Sequence, residues 1–157
     1  MNIIAKKQRK YLPTFADLID RLAIVQLKSI FISSHKDEYD KEINEIIHDL
    51  NIIIREKNIK LTGKMVRAIL VLMLTNRYIW ENETKARAGG NEQDKLLKLT
   101  HSINGIRSRA KNVICRELGE RVDLKVDSLA ADLLSEFDNW DIWREQSKPK
   151  KKQKKGK

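Results

Sequence analysis

The chain has few of the residues that interrupt or cross-link a helical fold. Its 157 residues include two prolines, Pro13 and Pro149, which stand near the two ends, so long helices can run through the interior. The single Cys115 excludes an internal disulfide. No partner for a thiolate metal site or a paired redox motif lies near it, so we expect a reducing, cytoplasmic location.

Long hydrophobic runs and strand patterns are also missing. The longest apolar run, 68–74, is far too short to span a bilayer. Only four apolar residues precede the first basic run, fewer than a secretory signal needs. No segment alternates polar and apolar residues over more than a few positions. These absences predict an all-α protein without a membrane partner.

Positive charge is concentrated at the two ends of the chain. Of the net charge of +10, residues 1–10 contribute +4 and residues 148–157 contribute +7, which leaves −1 for 11–147. Such basic ends bind phosphates with an affinity that falls as salt rises, although a basic tail can also serve only to keep a chain soluble. The predicted nucleic-acid-binding residues are Lys6, Lys7, Arg9, Lys10, Lys148, Lys150, Lys151, Lys152, Lys154, Lys155 and Lys157.

Apolar residues recur at helical spacing in five segments. The spacing predicts helices at about 14–33, 37–57, 62–88, 91–118 and 128–144. Thr14 is the predicted N-cap of the first helix, and Asp17 completes a capping box. The first helix is apolar on nearly all sides, so we expect it at the centre.

Short connections between these helices favour antiparallel neighbours. We therefore predict an antiparallel four-helix bundle, the first two helices pairing against the next two, with a fifth C-terminal helix packed on it. The predicted limits are a basic N-terminal arm at 1–12, a helical domain at 13–145 and a Lys-rich disordered tail at 146–157.

Polar residues interrupt the apolar faces of three of these helices. In the third, Asn76, Glu83 and Arg87 project within roughly 40° of one another, so we expect all three to point inward and to converge with Arg107 and Asp20. Glu83 and Arg87 also stand four residues apart in the order that favours pairing along a helix. Buried polar groups need hydrogen-bond partners, and buried charges need counter-charges. A structural network is one interpretation, and a pocket in which two arginines hold a phosphate-bearing ligand is the other. The candidate ligand-binding residues are Asn76, Trp80, Glu83, Arg87, Asn104, Arg107 and Asp20.

Two stretches resemble an uncharacterised family of helical bacterial and phage proteins. Residues 76–87 carry Asn-x-x-x-Trp-x-x-Glu followed by Arg, and residues 104–107 carry Asn-x-x-Arg. The phrase Leu18-Ile19-Asp20 is also similar. Some members are encoded beside glycosyltransferases, so the resemblance implies sugar-nucleotide binding or an accessory role in glycan biosynthesis. The chain departs from the family where Thr84 follows Glu83, since an acidic pair is usual there, and where His101 replaces a common Asp.

Motifs for catalysis are few. Glu45 and His48 form one Glu-x-x-His pair, whereas a di-iron bundle needs two. No glycine-rich phosphate loop is present. We therefore expect no metal and no cofactor, and a binding protein rather than an enzyme. The first hypothesis is binding of nucleic acid or another polyanion through the basic ends, the alternative is the phosphate-bearing ligand, and long amphipathic helices also permit a homodimer.

Overall fold

A computed structural model of the protein describes residues 11–123. Within them the chain forms four α-helices and one 3-10 turn and contains no strand, which confirms the all-α prediction. Each of the first four predicted helices is found, with ends shifted by two residues or fewer. The elements are α1 Phe15–Phe31, the 3-10 turn Ser33–His35, α2 Lys36–Glu56, α3 Gly63–Arg87 and α4 Gln93–Glu117. The predicted fifth helix and both basic ends lie outside the described residues.

Local hydrogen bonds define where the helices begin and end. The Thr14 hydroxyl accepts from the backbone N–H of Asp17 at 3.1 Å, and the Asp17 carboxylate accepts from the backbone N–H of Thr14 at 2.9 Å. This is the predicted capping box. Gly89 and Gly90 have positive φ angles of 77° and 125°, which end α3 and reverse the chain into α4.

The four helices form two hairpins, α1 with α2 and α3 with α4. α2 packs mainly on α1, α3 packs most closely with α4, and α1 contacts both α3 and α4. The predicted pairing and the central position of the first helix are therefore confirmed. The central core consists of Phe15, Ala16, Val25, Ile46, Leu50, Met65, Ala68, Val71, Leu72, Ile106, Ala110, Val113, Ile114 and Cys115.

The buried face of α3 is rotated from the one that its apolar spacing predicts. That spacing places Val66 on one inner face with Ile69, Met73 and Trp80. In the structure Val66 is exposed, while Met65, Ala68 and Leu72 are buried. The shift follows from packing, because α3 is covered by α1 on one side and by α4 on another. The remaining side of α3 exposes Leu70 and Leu74.

Candidate functional site

One buried carboxylate joins α1, α3 and α4. Asp20 of α1 is 5% exposed, and so is Asn76 of α3. The Asn76 amide donates from Nδ2 to Asp20 Oδ1 at 2.9 Å. Arg107 of α4 donates from Nε to the same oxygen at 2.9 Å and from Nη2 to Asp20 Oδ2. The sequence predicted that these three side chains would converge, and they do.

Two further residues of α4 complete the cluster. Arg107 donates from Nη1 to the side-chain oxygen of Asn104 at 3.3 Å. The Lys111 ammonium lies 3.8 Å from Asp20 Oδ2 and 2.7 Å from Asp17 Oδ1. We call Asp20, Asn76, Asn104, Arg107 and Lys111 the Asp20 network. Its one fully buried charge, the Asp20 carboxylate, therefore faces two cations and an amide.

The hydrogen bonds of Arg107 determine what the network can do. Its Nε, Nη1 and Nη2 atoms all donate to side chains of the network, and 28% of the side chain is exposed. The charge of a guanidinium that donates two hydrogen bonds to a carboxylate is balanced by that carboxylate. Few of its N–H donors then remain for an external phosphate. The geometry instead resembles a buried pair whose partners fix the relative positions of helices.

Glu83 and Arg87 do not join the Asp20 network. Their side chains are 48% and 82% exposed, and Arg87 Nη2 lies 3.5 Å from Glu83 Oε2. The predicted pairing along the helix is confirmed, but the prediction that both point inward and meet Arg107 is wrong.

The position of α1 explains this exposure. α1 ends at Phe31, whose ring centre lies 4.3 Å from the guanidinium of Arg77 on α3. α3 continues for ten residues beyond Arg77, and the buried side chains there are Asn82 and Ala86. Those two lie on a different side of α3 from Asn76. Glu83 has apolar neighbours in the helical projection of α3. Among residues 11–123, however, no helix packs over that side of α3 beyond Arg77.

Trp80 also stays outside the network. Its side chain is partly buried, and its backbone carbonyl accepts from the Thr84 hydroxyl at 2.8 Å. Within residues 11–123, no hydrogen bond joins the Trp80 side chain to Asp20, Asn76 or Arg107. Of the seven candidate ligand-binding residues, four therefore converge and three do not. The candidate nucleic-acid-binding residues all lie outside the described part of the chain.

Sequence reasoning missed Lys111 and the second role of Asp17. Lys111 follows Arg107 by four residues, so both point to the same side of α4. That spacing could have identified it as a second cation facing Asp20. Asp17 was assigned to helix capping, but it also binds Lys111 and lies 3.7 Å from Arg121.

The pKa of Asp17 predicts how stability responds to acid. Burial raises the pKa of this carboxyl, but hydrogen bonds from Lys111 and Thr14 outweigh that effect and lower the pKa below its ordinary value. A lowered pKa in the folded state stabilises the fold above the ordinary Asp pKa of about 3.9. This contribution is lost as pH falls through the lowered value. We expect the melting-temperature gap between the wild type and Asp17→Asn to be constant above about pH 5 and to shrink below about pH 4. Melting curves across this range test it, and an equal gap at pH 3 and pH 7 would contradict it.

A cleft of about 500 Å³ lies beside the network, between Thr14 of the α1 cap, Lys111 of α4 and Arg121. Cys115 lines it and is buried. Burial raises the pKa of its thiol, so it stays protonated at neutral pH. The cleft therefore does not contain an activated sulfur nucleophile.

The Glu45 and His48 pair lies on the outer side of α2. Both residues are exposed and line an open depression of about 780 Å³ together with acidic residues such as Asp37 and Asp49. Among residues 11–123, no three His, Cys, Asp or Glu side chains are arranged to hold a metal ion. In the same residues, no helix has the length and apolar content needed to cross a membrane.

Comparison of the chain with protein-family models, with curated proteins and with solved structures gives no match. The resemblance to a helical bacterial and phage family therefore stays a prediction.

Proposed function

We propose that this protein is a non-enzymatic helical scaffold that binds nucleic acid through its basic ends. The observation that carries this proposal is the distribution of charge. Eleven of the 32 Lys and Arg residues fall within the twenty residues 1–10 and 148–157. Residues 11–123 hold 19 cations and 16 anions, which is close to balance. Electrostatic attraction to phosphates would therefore come mainly from the ends.

The pairing of charges inside the helical domain supports the same proposal. Arg107 and Lys111 face Asp20 and Asp17, and Arg87 lies beside Glu83. These cations are partly neutralised by their own neighbours. The alternative, a phosphate-bearing ligand held jointly by Arg87 and Arg107, is not favoured because the first is exposed and the second is bonded to Asp20. We therefore treat the Asp20 network as a structural support for the scaffold.

Replacing the seven C-terminal lysines by glutamine is the experiment that tests the proposal. Each Lys that contacts a duplex phosphate contributes about 0.9 to the slope of log affinity against log salt. We expect the slope to fall by at least about one to two, and the affinity for a short DNA duplex at about 100 mM salt to fall at least roughly tenfold to a hundredfold, because each unit of slope is worth about tenfold between 0.1 and 1 M salt. Fluorescence anisotropy of a labelled duplex across a salt series measures both quantities.

A matched control changes exposed lysines of the helical domain. Glutamine at Lys36, Lys41, Lys60, Lys85, Lys95 and Lys98 removes six charges from positions that are exposed in the structure. If this control weakens binding as much as the tail variant does, net charge rather than the tail is responsible and the proposal fails. If the wild type binds heparin but not DNA or RNA, the ligand is another polyanion.

A further inference from the structure

The outer side of α3 leaves a row of apolar side chains about half exposed. Val66, Leu70 and Leu74 are 45%, 60% and 52% exposed, and Tyr78 is 39% exposed. The four residues follow one another at intervals of four, so they form one ridge along the helix. Single exposed apolar residues are ordinary at a protein surface, but a contiguous row of them is typical of an interaction surface. We call Val66, Leu70, Leu74 and Tyr78 the α3 ridge.

Two residues of opposite charge lie on the same line of α3 as Leu74. Arg67 precedes Leu74 by seven residues and Glu81 follows it by seven, which is about two helical turns in each direction. Arg67 is exposed, and within residues 11–123 its guanidinium has no carboxylate partner. Glu81 accepts from Arg77 through Oε1, and among the same residues no hydrogen bond reaches its Oε2. Arg67 and this second oxygen are therefore both available to a partner.

The ridge and these two charges are complementary to themselves about a two-fold axis. In an antiparallel pair of α3 helices that cross at Leu74, a residue before Leu74 faces the residue equally far after it in the second copy. Leu70 then lies against Tyr78. Arg67 lies against Glu81, once on each side of the axis. A parallel pair would place Arg67 against Arg67, which is unfavourable. The order of the charges therefore fits an antiparallel pair of identical chains.

We propose that two copies of this chain associate through the α3 ridge, antiparallel and centred on Leu74. From Val66 to Tyr78 the ridge is about 18 Å long. A contact between one helix of each copy over this length lies at the small end of specific interfaces, below about 1,200 Å² of buried surface. The dimer therefore dissociates on dilution. It would bring four basic ends into one assembly, but the association itself does not depend on the proposed nucleic-acid binding.

Sedimentation equilibrium of the full chain over roughly a hundredfold range of concentration tests the association, at about 0.15 M salt, where repulsion between chains is screened beyond about 8 Å. We expect the wild-type mass to rise from that of one chain toward that of two. Leu74→Lys is expected to weaken the association at least about tenfold, because it places two ammonium groups at the centre of the interface. Leu97→Lys, at a 42% exposed leucine of α4, is the matched control and should leave the association unchanged.

An exchange of charges tests the antiparallel register. Arg67→Glu is expected to weaken the association at least about fivefold, because it faces Glu81 of the second copy. Adding Glu81→Arg reverses both signs and should return the affinity to within about threefold of the wild type. Adding Glu83→Arg instead gives the same net charge on another side of α3, so it should not restore the affinity. Equal rescue by both would contradict the register.

Three other results overturn the proposal. A wild type that stays a single chain at every concentration would mean that the ridge does not bind a second copy, and a melting temperature lowered by Leu74→Lys would then mean that the same chain covers it. An association that survives Leu74→Lys, or that Leu97→Lys weakens equally, would mean that the copies meet elsewhere. If Leu74→Lys loses its helical circular dichroism, the charge exchange decides: rescue by Glu81→Arg but not by Glu83→Arg supports the dimer, and no rescue contradicts it.

Discussion

Asp20→Ala is expected to lower the free energy of unfolding by about 3–5 kcal/mol, because it leaves Arg107 and Asn76 without the acceptor around which they are arranged. Asn76 is almost completely buried, so its amide would lose its hydrogen bond without gaining one to water. Arg107 would keep a positive charge beside Lys111 with no carboxylate between them. Urea denaturation followed by circular dichroism measures the change.

Glu83→Ala is the matched control for this prediction. It also removes an acidic residue that faces an arginine, but this pair is exposed, and exposed pairs contribute about 0–1 kcal/mol. A loss from Glu83→Ala equal to that from Asp20→Ala would contradict the buried position of Asp20. A double-mutant cycle of Asp20→Ala with Arg107→Ala isolates their coupling, which we expect to exceed about 1 kcal/mol.

Leu72→Ala is expected to cost about 2–5 kcal/mol, the range for large-to-small changes in a core. Leu72 has 0% exposure and lies on the buried face of α3 with Ala68 and Met65. Removing its side chain loses buried apolar contacts and leaves a cavity that helices held by other contacts can only partly close. The same urea titration measures the loss.

Leu74→Ala provides the comparison within the same helix. Leu74 is 52% exposed, so its truncation should change the free energy of unfolding by no more than about 0.5 kcal/mol. Since both positions carry leucine in one helix, the difference in helix propensity is the same and cancels. If the two variants lose equal stability, the side of α3 that faces the core has been assigned incorrectly.

Much of the fold follows from local rules. Thr14 and Asp17 can be recognised as a capping box because both hydrogen bonds form within four residues. Gly89 and Gly90 mark the turn between α3 and α4 because positive φ angles favour glycine. The apolar spacing on α4 gives its inner face correctly at Ile103, Ile106 and Ala110. The first four helices, their ends and the hairpin pairing are therefore accessible from the sequence.

Only four of the seven candidate ligand-binding residues were predicted correctly to converge, for a geometric reason. A helical projection reports the direction of a side chain around its own axis, but not whether another helix lies opposite it. Asn76 and Glu83 project in nearly the same direction, yet Asn76 meets Asp20 of α1, whereas Glu83 is exposed.

The sequence by itself determined that this chain forms long helices, where those helices begin and end, and that its positive charge lies at its two ends, because each of these depends on neighbouring residues. Tertiary structure alone decided which polar residues meet. It brought Lys111 to Asp20 and left Arg87 exposed, because such contacts depend on where three helix axes cross and how far each helix extends beyond the crossing.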